Sequence, residues 1–129
     1  MPELATSPIH LGLGATSTVQ PTFTGDMEWY MGYADRAAGD AAEGRLVMSS
    51  SFSESWDSWE VHPHGSEVVL CTEGEITLTQ EIDGEHVQTT IAKGEYVINP
   101  PGVWHTADVD APATCLFITA GMGTEHRPR

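Results

Sequence analysis

The sequence predicts an all-β chain, and three observations carry that prediction. From Met27 onward, short apolar and β-branched runs are separated by Gly, Pro, Asp and Ser clusters. One run, Glu75 to Ile82, places Ile76, Leu78, Gln80 and Ile82 on one face and Thr77, Thr79 and Glu81 on the other. Asp83-Gly84 follows it as a hairpin signal, and almost no stretch repeats at helical spacing.

Residues 1–25, rich in Thr, Ser, Pro and Gly without periodicity, are expected to form an N-terminal arm that packs on the body or on a second subunit. Gly12-Leu13-Gly14 lacks a third glycine and a following helix, so it is no dinucleotide loop. Residues 26–129 are expected to be a single domain with its core at about 45–119. Within it, Glu28 to Tyr33 is aromatic-rich and strand-like, and Asp35 to Gly44 reads as a loop or at most one helical turn. Arg45 to Phe52 is a strand and Ser53 to Ser58 a polar turn. Trp59 to His64 and Glu67 to Cys71 are strands interrupted by Gly65. After Asp83-Gly84 the chain returns over His86 to Ile91. Tyr96 to Asn99, Trp104 to Val109 and Thr114 to Thr119 complete the series, before a glycine-containing tail from Gly121 to Arg129. Strands so spaced argue for an antiparallel sandwich or small barrel.

Composition narrows the function. The 129 residues carry 19 acidic and 5 basic side chains, a formal charge of -14. Arg36, Arg45, Lys93, Arg127 and Arg129 form no stripe, so neither nucleic acid nor an anionic membrane surface is an expected partner. The acidity itself serves solubility. Cys71 and Cys115 lack C-x-x-C spacing and read as buried free thiols. No signal-peptide pattern opens the chain, and no run approaches the ~18 apolar residues of a membrane span. A soluble cytoplasmic protein is the resulting expectation. Neither a G-x-S-x-G elbow nor a phosphate loop is present.

Chemistry concentrates in two segments. His62-Pro63-His64-Gly65-Ser66-Glu67 leads on to Gly74, and Gly94 leads through Pro100 and Gly102 to His105. Three imidazoles and one carboxylate suit a divalent transition metal. His62 and His64 share strand parity, whereas Glu67 turns to the other face unless Gly65 breaks the alternation. Without that kink, His62 or His64 must leave the ligand set. His62, Glu67 and His105 are the expected ligands, with His64 a fourth. His10, His86 and His126 read as satisfied polar residues. Glu60 shares parity with His62 and reads as a solvated carboxylate, or else as a support behind the ligands. Val69 and Cys71 follow Glu67 inward, Trp104 faces away from His105, and Pro100-Pro101 stiffens the approach to His105. Arg45 is expected to assist an anionic substrate. No catalytic residue separate from the ligands is assigned.

The two segments resemble the paired motifs of the cupins. The first, G-x5-H-x-H-x3,4-E-x6-G, is met at His62, His64, Glu67 and Gly74, with Trp56 in place of the leading glycine and only two residues between His64 and Glu67. The second, G-x5-P-x-G-x2-H-x3-N, is met from Gly94 to His105, with Val109 in place of Asn. The similarity spans roughly Arg45 to Thr119. Sequence from Trp59 to Pro63, and from Gly123 to Pro128, is similar to a group of small bacterial cupins in which the position of His64 is often not histidine. The resemblance implies a conical β-barrel (double-stranded β-helix, jelly roll) and a metal site of His62, His64, Glu67 and His105 holding Fe, Mn, Ni or Zn. A homodimer that covers exposed sheet edges with an exchanged strand or arm is expected. The function expected is that of a mononuclear metalloenzyme, of dioxygenase or isomerase type, acting on a small organic molecule. The alternative is a non-catalytic small-molecule binding or sensing domain. A third reading, a metal-free epimerase type, would set His62 or His64 opposite Tyr96.

Overall fold

A computed structural model describes all residues, Met1–Arg129. Its strands are β1 (Ile9–Gly12), β2 (Thr16–Val19), β3 (Arg45–Phe52), β4 (Ser58–Val61), β5 (Glu67–Glu73), β6 (Glu75–Ile82), β7 (Glu85–Ala92), β8 (Tyr96–Asn99), β9 (His105–Asp108), β10 (Ala113–Thr119) and β11 (Glu125–Pro128). One helix, α1 (Met27–Ala37), precedes β3. Two antiparallel sheets result, one in the order β2-β1-β3-β10-β5-β8 and the other β11-β4-β9-β6-β7. This is the expected jelly roll. No helix is long and apolar enough to cross a membrane.

Alternation along the strands builds the interior. Glu67, Val69 and Cys71 of β5 face inward and lie opposite Thr119, Phe117 and Cys115 of β10. From β6 come Ile76 and Leu78, and with Ile91, Ala107 and Ala113 they complete the apolar layer. The same parity carries Gln80 inward at the end of that layer, bonded to Asn99 and opposite His105. The barrel therefore has an apolar middle and a polar end. Asp83 and Gly84 both adopt left-handed φ, 52° and 78°, the two-residue turn that matches strand twist between β6 and β7.

Three local details differ from the expectations or add to them. Glu28 to Tyr33 is helical, because Asp26 caps α1 by accepting the Trp29 amide at 2.9 Å. Trp29 and Tyr33, four apart, then stack at 5.7 Å, and Arg36 covers the Trp29 ring at 5.6 Å. Aromatic content suggested a strand; the 29-33-36 spacing was the better signal. Secondly, the N-terminal arm contains a hairpin, with β1 pairing to β3 of its own chain. His10 anchors it, bonded to Tyr33 Oη at 2.7 Å and Asp40 Oδ2 at 2.6 Å. Thirdly, the tail becomes edge strand β11 against β4.

Candidate metal centre

β4 ends at Val61, and the chain then crosses from the five-stranded to the six-stranded sheet before β5 begins at Glu67. Gly65 allows the crossing because a Cβ there would lie 2.3 Å from Ala120 Cβ. Strand alternation stops at the end of β4, so His62 points inward while His64 is exposed on the turn. The structure does not bring His64 to the cluster. It lines a surface depression of about 230 Å³ with Arg45, Ser66 and Ala120, which none of the cluster residues enters. Arg45 is likewise exposed, so the expectation that it serves a substrate at the cluster is corrected. Tyr96 is 63% exposed on edge strand β8, which removes the epimerase arrangement.

Glu67 sits between the two buried imidazoles. Its Oε2 is 3.2 Å from His62 Nε2, and its Oε1 is 3.3 Å from His105 Nε2. Glu60 joins them from β4, where it lies opposite His105 of β9, with Oε1 3.4 Å from His62 Nε2. Ligand atoms of Glu60, His62 and His105 all fall within 4.8 Å of one another. The Glu60 side chain is 24% exposed, against 5% for Glu67, and so forms the solvent side of the cluster.

Hydrogen bonds set the tautomers. The Thr124 hydroxyl donates to Gly121 O at 2.8 Å, so it accepts from His62 Nδ1–H at 2.8 Å. His105 Nδ1 lies 3.2 Å from Val103 O, a carbonyl that can only accept. Both imidazoles thus carry their proton on Nδ1 and turn an Nε2 lone pair toward Glu67. Neither buried Nε2 has a hydrogen bond of sound geometry. Two lone pairs facing a carboxylate at that range repel unless a cation, or a second ring proton, lies between them. The donor set fits a divalent transition metal.

Glu67 is held as firmly as the rings. Asn99 Nδ2 donates to its Oε1 at 3.1 Å, and Thr119 Oγ1 donates to its Oε2 at 2.6 Å. Both are its cross-strand partners. Gln80 Nε2 in turn donates to Asn99 Oδ1 at 2.8 Å and to Ile98 O at 2.9 Å, which fixes the Asn99 amide. Burial alone would push the Glu67 carboxyl up, but His105 and His62 outweigh it and hold it well below the usual carboxylate range. Burial also works against a charged His62, yet Glu67 and then Glu60 prevail and raise its pKa. The Glu60 carboxyl is raised by desolvation first and by the charge of Glu67 second.

Sequence reasoning set Glu60 in solvent or behind the ligands and gave no site role to Gln80, Asn99, Thr119 or Thr124. A signal for Glu60 existed. Setting the first motif's paired positions at Glu60 and His62 leaves four residues before Glu67, the allowed spacing that His64 violates. Gln80, polar on an otherwise apolar face, was the signal for the network behind Glu67.

Among family models, the one described as Cupin domain matches residues 53–120, more than half of the chain. The chain belongs to the cupin family. Its fold is similar to that of oxalate oxidase in complex with glycolate, with a TM-score of 0.55 and 14% identity over 63% of this chain and 45% of that one. A hydroquinone 1,2-dioxygenase in complex with Cd2+ and 4-hydroxybenzonitrile aligns at TM-score 0.53 and 14% identity over 58% and 56%. A cupin-2 domain protein from Shewanella frigidimarina aligns at 0.50 and 20% identity over 66% and 71%. This cupin spans less than two thirds of the oxidase and dioxygenase chains. At these identities the likeness is one of fold. No curated protein matches the sequence.

Proposed function

We propose that this cupin is a mononuclear metalloprotein whose ligands are Glu60, His62, Glu67 and His105, with Glu60 taking the place expected of His64. One observation carries the reading: two Nδ1-protonated imidazoles present buried, unpartnered Nε2 atoms to the same carboxylate. Two imidazoles and two carboxylates suit Fe, Mn, Ni or Zn. The bound ion would supply Lewis-acid polarisation of a small organic molecule or, if iron, oxygen chemistry. The chain's own share is positional. Thr124 and the Val103 carbonyl aim the two rings, Asn99 and Thr119 hold Glu67, and the apolar layer below excludes water. The activity that fits is oxygenation or isomerisation of a small organic substrate.

A non-catalytic binding or sensing role is the second reading. It is favoured by the lack of buried titratable side chains in the barrel interior beyond the cluster and the two thiols. Elemental analysis of protein purified without chelator or nickel resin tests the site. About one equivalent of metal per chain supports it, and His105→Ala should abolish retention; unchanged content in that variant would sink the assignment. Substrate turnover after anaerobic iron loading then separates enzyme from sensor. The homodimer belongs to this proposal too, since β2 is an exposed edge strand carrying Val19. Sedimentation velocity at one chain mass would refute it.

A further inference from the structure

The outward face of the six-stranded sheet has the composition of an interior. Cross-strand register sets one residue from every strand side by side: Val19, Ile9, Val47, Ile118, Val68 and Ile98, in the order β2-β1-β3-β10-β5-β8. Five strand spacings make this aliphatic ladder ~24 Å long. Beside it, Leu116, Leu70 and Tyr96 continue the apolar surface over β10, β5 and β8. Glu67, Val69, Cys71 and Phe117 have the opposite parity and form the inner side, so the ladder points away from the barrel interior.

The one helix of the chain does not cover this face. His10 has the inner parity and bonds Tyr33 of α1, which places the helix on the other side of the sheet. Val19 is 57%, Ile98 51% and Tyr96 63% exposed. An antiparallel sheet with a solvated face alternates apolar and polar residues. Here Val68-Val69-Leu70-Cys71 and Cys115-Leu116-Phe117-Ile118 run apolar without a break, the pattern of strands covered on both faces. A contiguous apolar patch of this kind marks an interaction surface.

We infer that a second copy of the chain docks on this face, sheet against sheet. The inference rests on the homodimer reading above and sets the contact on a face rather than at the β2 edge. Charge selects the partner. At a net charge of -14, two copies repel wherever their carboxylates meet, yet none of the 19 acidic side chains stands in the ladder or in the rows on either side of it. The one charged group in those rows is Arg45, opposite Leu11. Arg127 and Arg129 have ion pairs within the chain, whereas Arg45 has none, so the acidic surface of a second copy supplies its counter-ion. Shape agrees with charge. Val and Ile alternate along the ladder, so a copy turned end for end sets each Val against an Ile. Val47 then meets Ile118 of the partner subunit, and Ile9 meets Val68 of the partner subunit. That is the reciprocal contact of a two-fold dimer, with the two sheets aligned and about 10 Å apart.

Sedimentation velocity of the full chain over a concentration series tests the contact. Wild type should sediment at twice the 13.9 kDa chain mass. Ile118→Glu sets an unpaired carboxylate inside the contact and should raise the dimer dissociation constant about a hundredfold or more, with the far-UV spectrum unchanged. If that variant does not fold, two others decide: Ile98→Glu at the half-exposed end of the ladder, and the milder pair Val68→Thr with Ile118→Thr. Each should weaken the dimer about tenfold or more. A wild-type dimer whose dissociation constant is unchanged in the folded variants overturns this inference and leaves the homodimer reading standing. A monomeric wild type defeats both. If that monomer binds phosphatidylcholine vesicles, the face belongs to lipid and the inference is equally overturned.

Discussion

His62 is aimed by a residue sixty-two positions away, since Thr124 accepts its Nδ1 proton. Removing such a partner frees the ring to rotate and to change tautomer, and typically lowers metal affinity ten- to a hundredfold. Thr124→Val should therefore weaken metal binding by roughly tenfold or more while leaving the far-UV spectrum unchanged, as a competition titration with a chromophoric chelator would show. Asn99→Ala should act in the same direction through Glu67, because it strips one donor from a buried carboxylate. Equal affinity in both variants would mean that the ligands are positioned by packing alone. None of these partners was legible beforehand. Thr124 is one hydroxyl in a polar tail, and only the pairing of β11 with β4 brings it to the ring.

At the scale of elements, the decisive feature is the crossing between β4 and β5. Gly65 lies against Ala120 so closely that one added methyl meets another carbon at 2.3 Å. Gly65→Ala should cost about 1–3 kcal/mol by overpacking, and chemical denaturation measures it. The double change Gly65→Ala with Ala120→Gly should recover part of that loss. If the single variant is as stable as wild type, the crossing has slack. The placement of His64 and Glu67 depends on this turn. A parity count treats the segment as one strand and offers His62 and His64 together. A turn between two sheets presents His62 and Glu67 inward and leaves His64 to solvent. Helix α1 illustrates the converse failure, since its aromatic composition masked a cap at Asp26 and a helical stripe through Trp29, Tyr33 and Arg36.

For the whole molecule, the N-terminal hairpin, α1 and the following turn are tied together by His10, which bonds Tyr33 of α1, and by Asp40. One of its oxygens meets His10 Nε2, and the other accepts the Leu13 amide at 3.1 Å. The His10 contact, then the Leu13 amide, hold the Asp40 carboxyl below its ordinary value of 3.8. A group depressed on folding lends stability above its unfolded pKa, and that stability is lost as pH falls through the folded value. Acid unfolding of wild type should thus steepen below about pH 3.8, and Asp40→Asn should flatten that limb while lowering Tm at neutral pH. Identical profiles would show that the hairpin docks without it.

By itself the sequence determined the strand series from Arg45 to Thr119, the all-β class, the cupin resemblance, and three of the four proposed ligands, because alternation, turn chemistry and motif spacing are local properties of a chain. Only the tertiary structure set the Glu60 carboxylate beside the two buried imidazoles and His64 on an exposed turn. It also decided which residues aim the imidazoles, Thr124 for His62 and the Val103 carbonyl for His105. Those outcomes depend on which strands lie side by side and where one sheet gives way to the other. Distances between two facing sheets follow from register and packing, which no residue encodes alone.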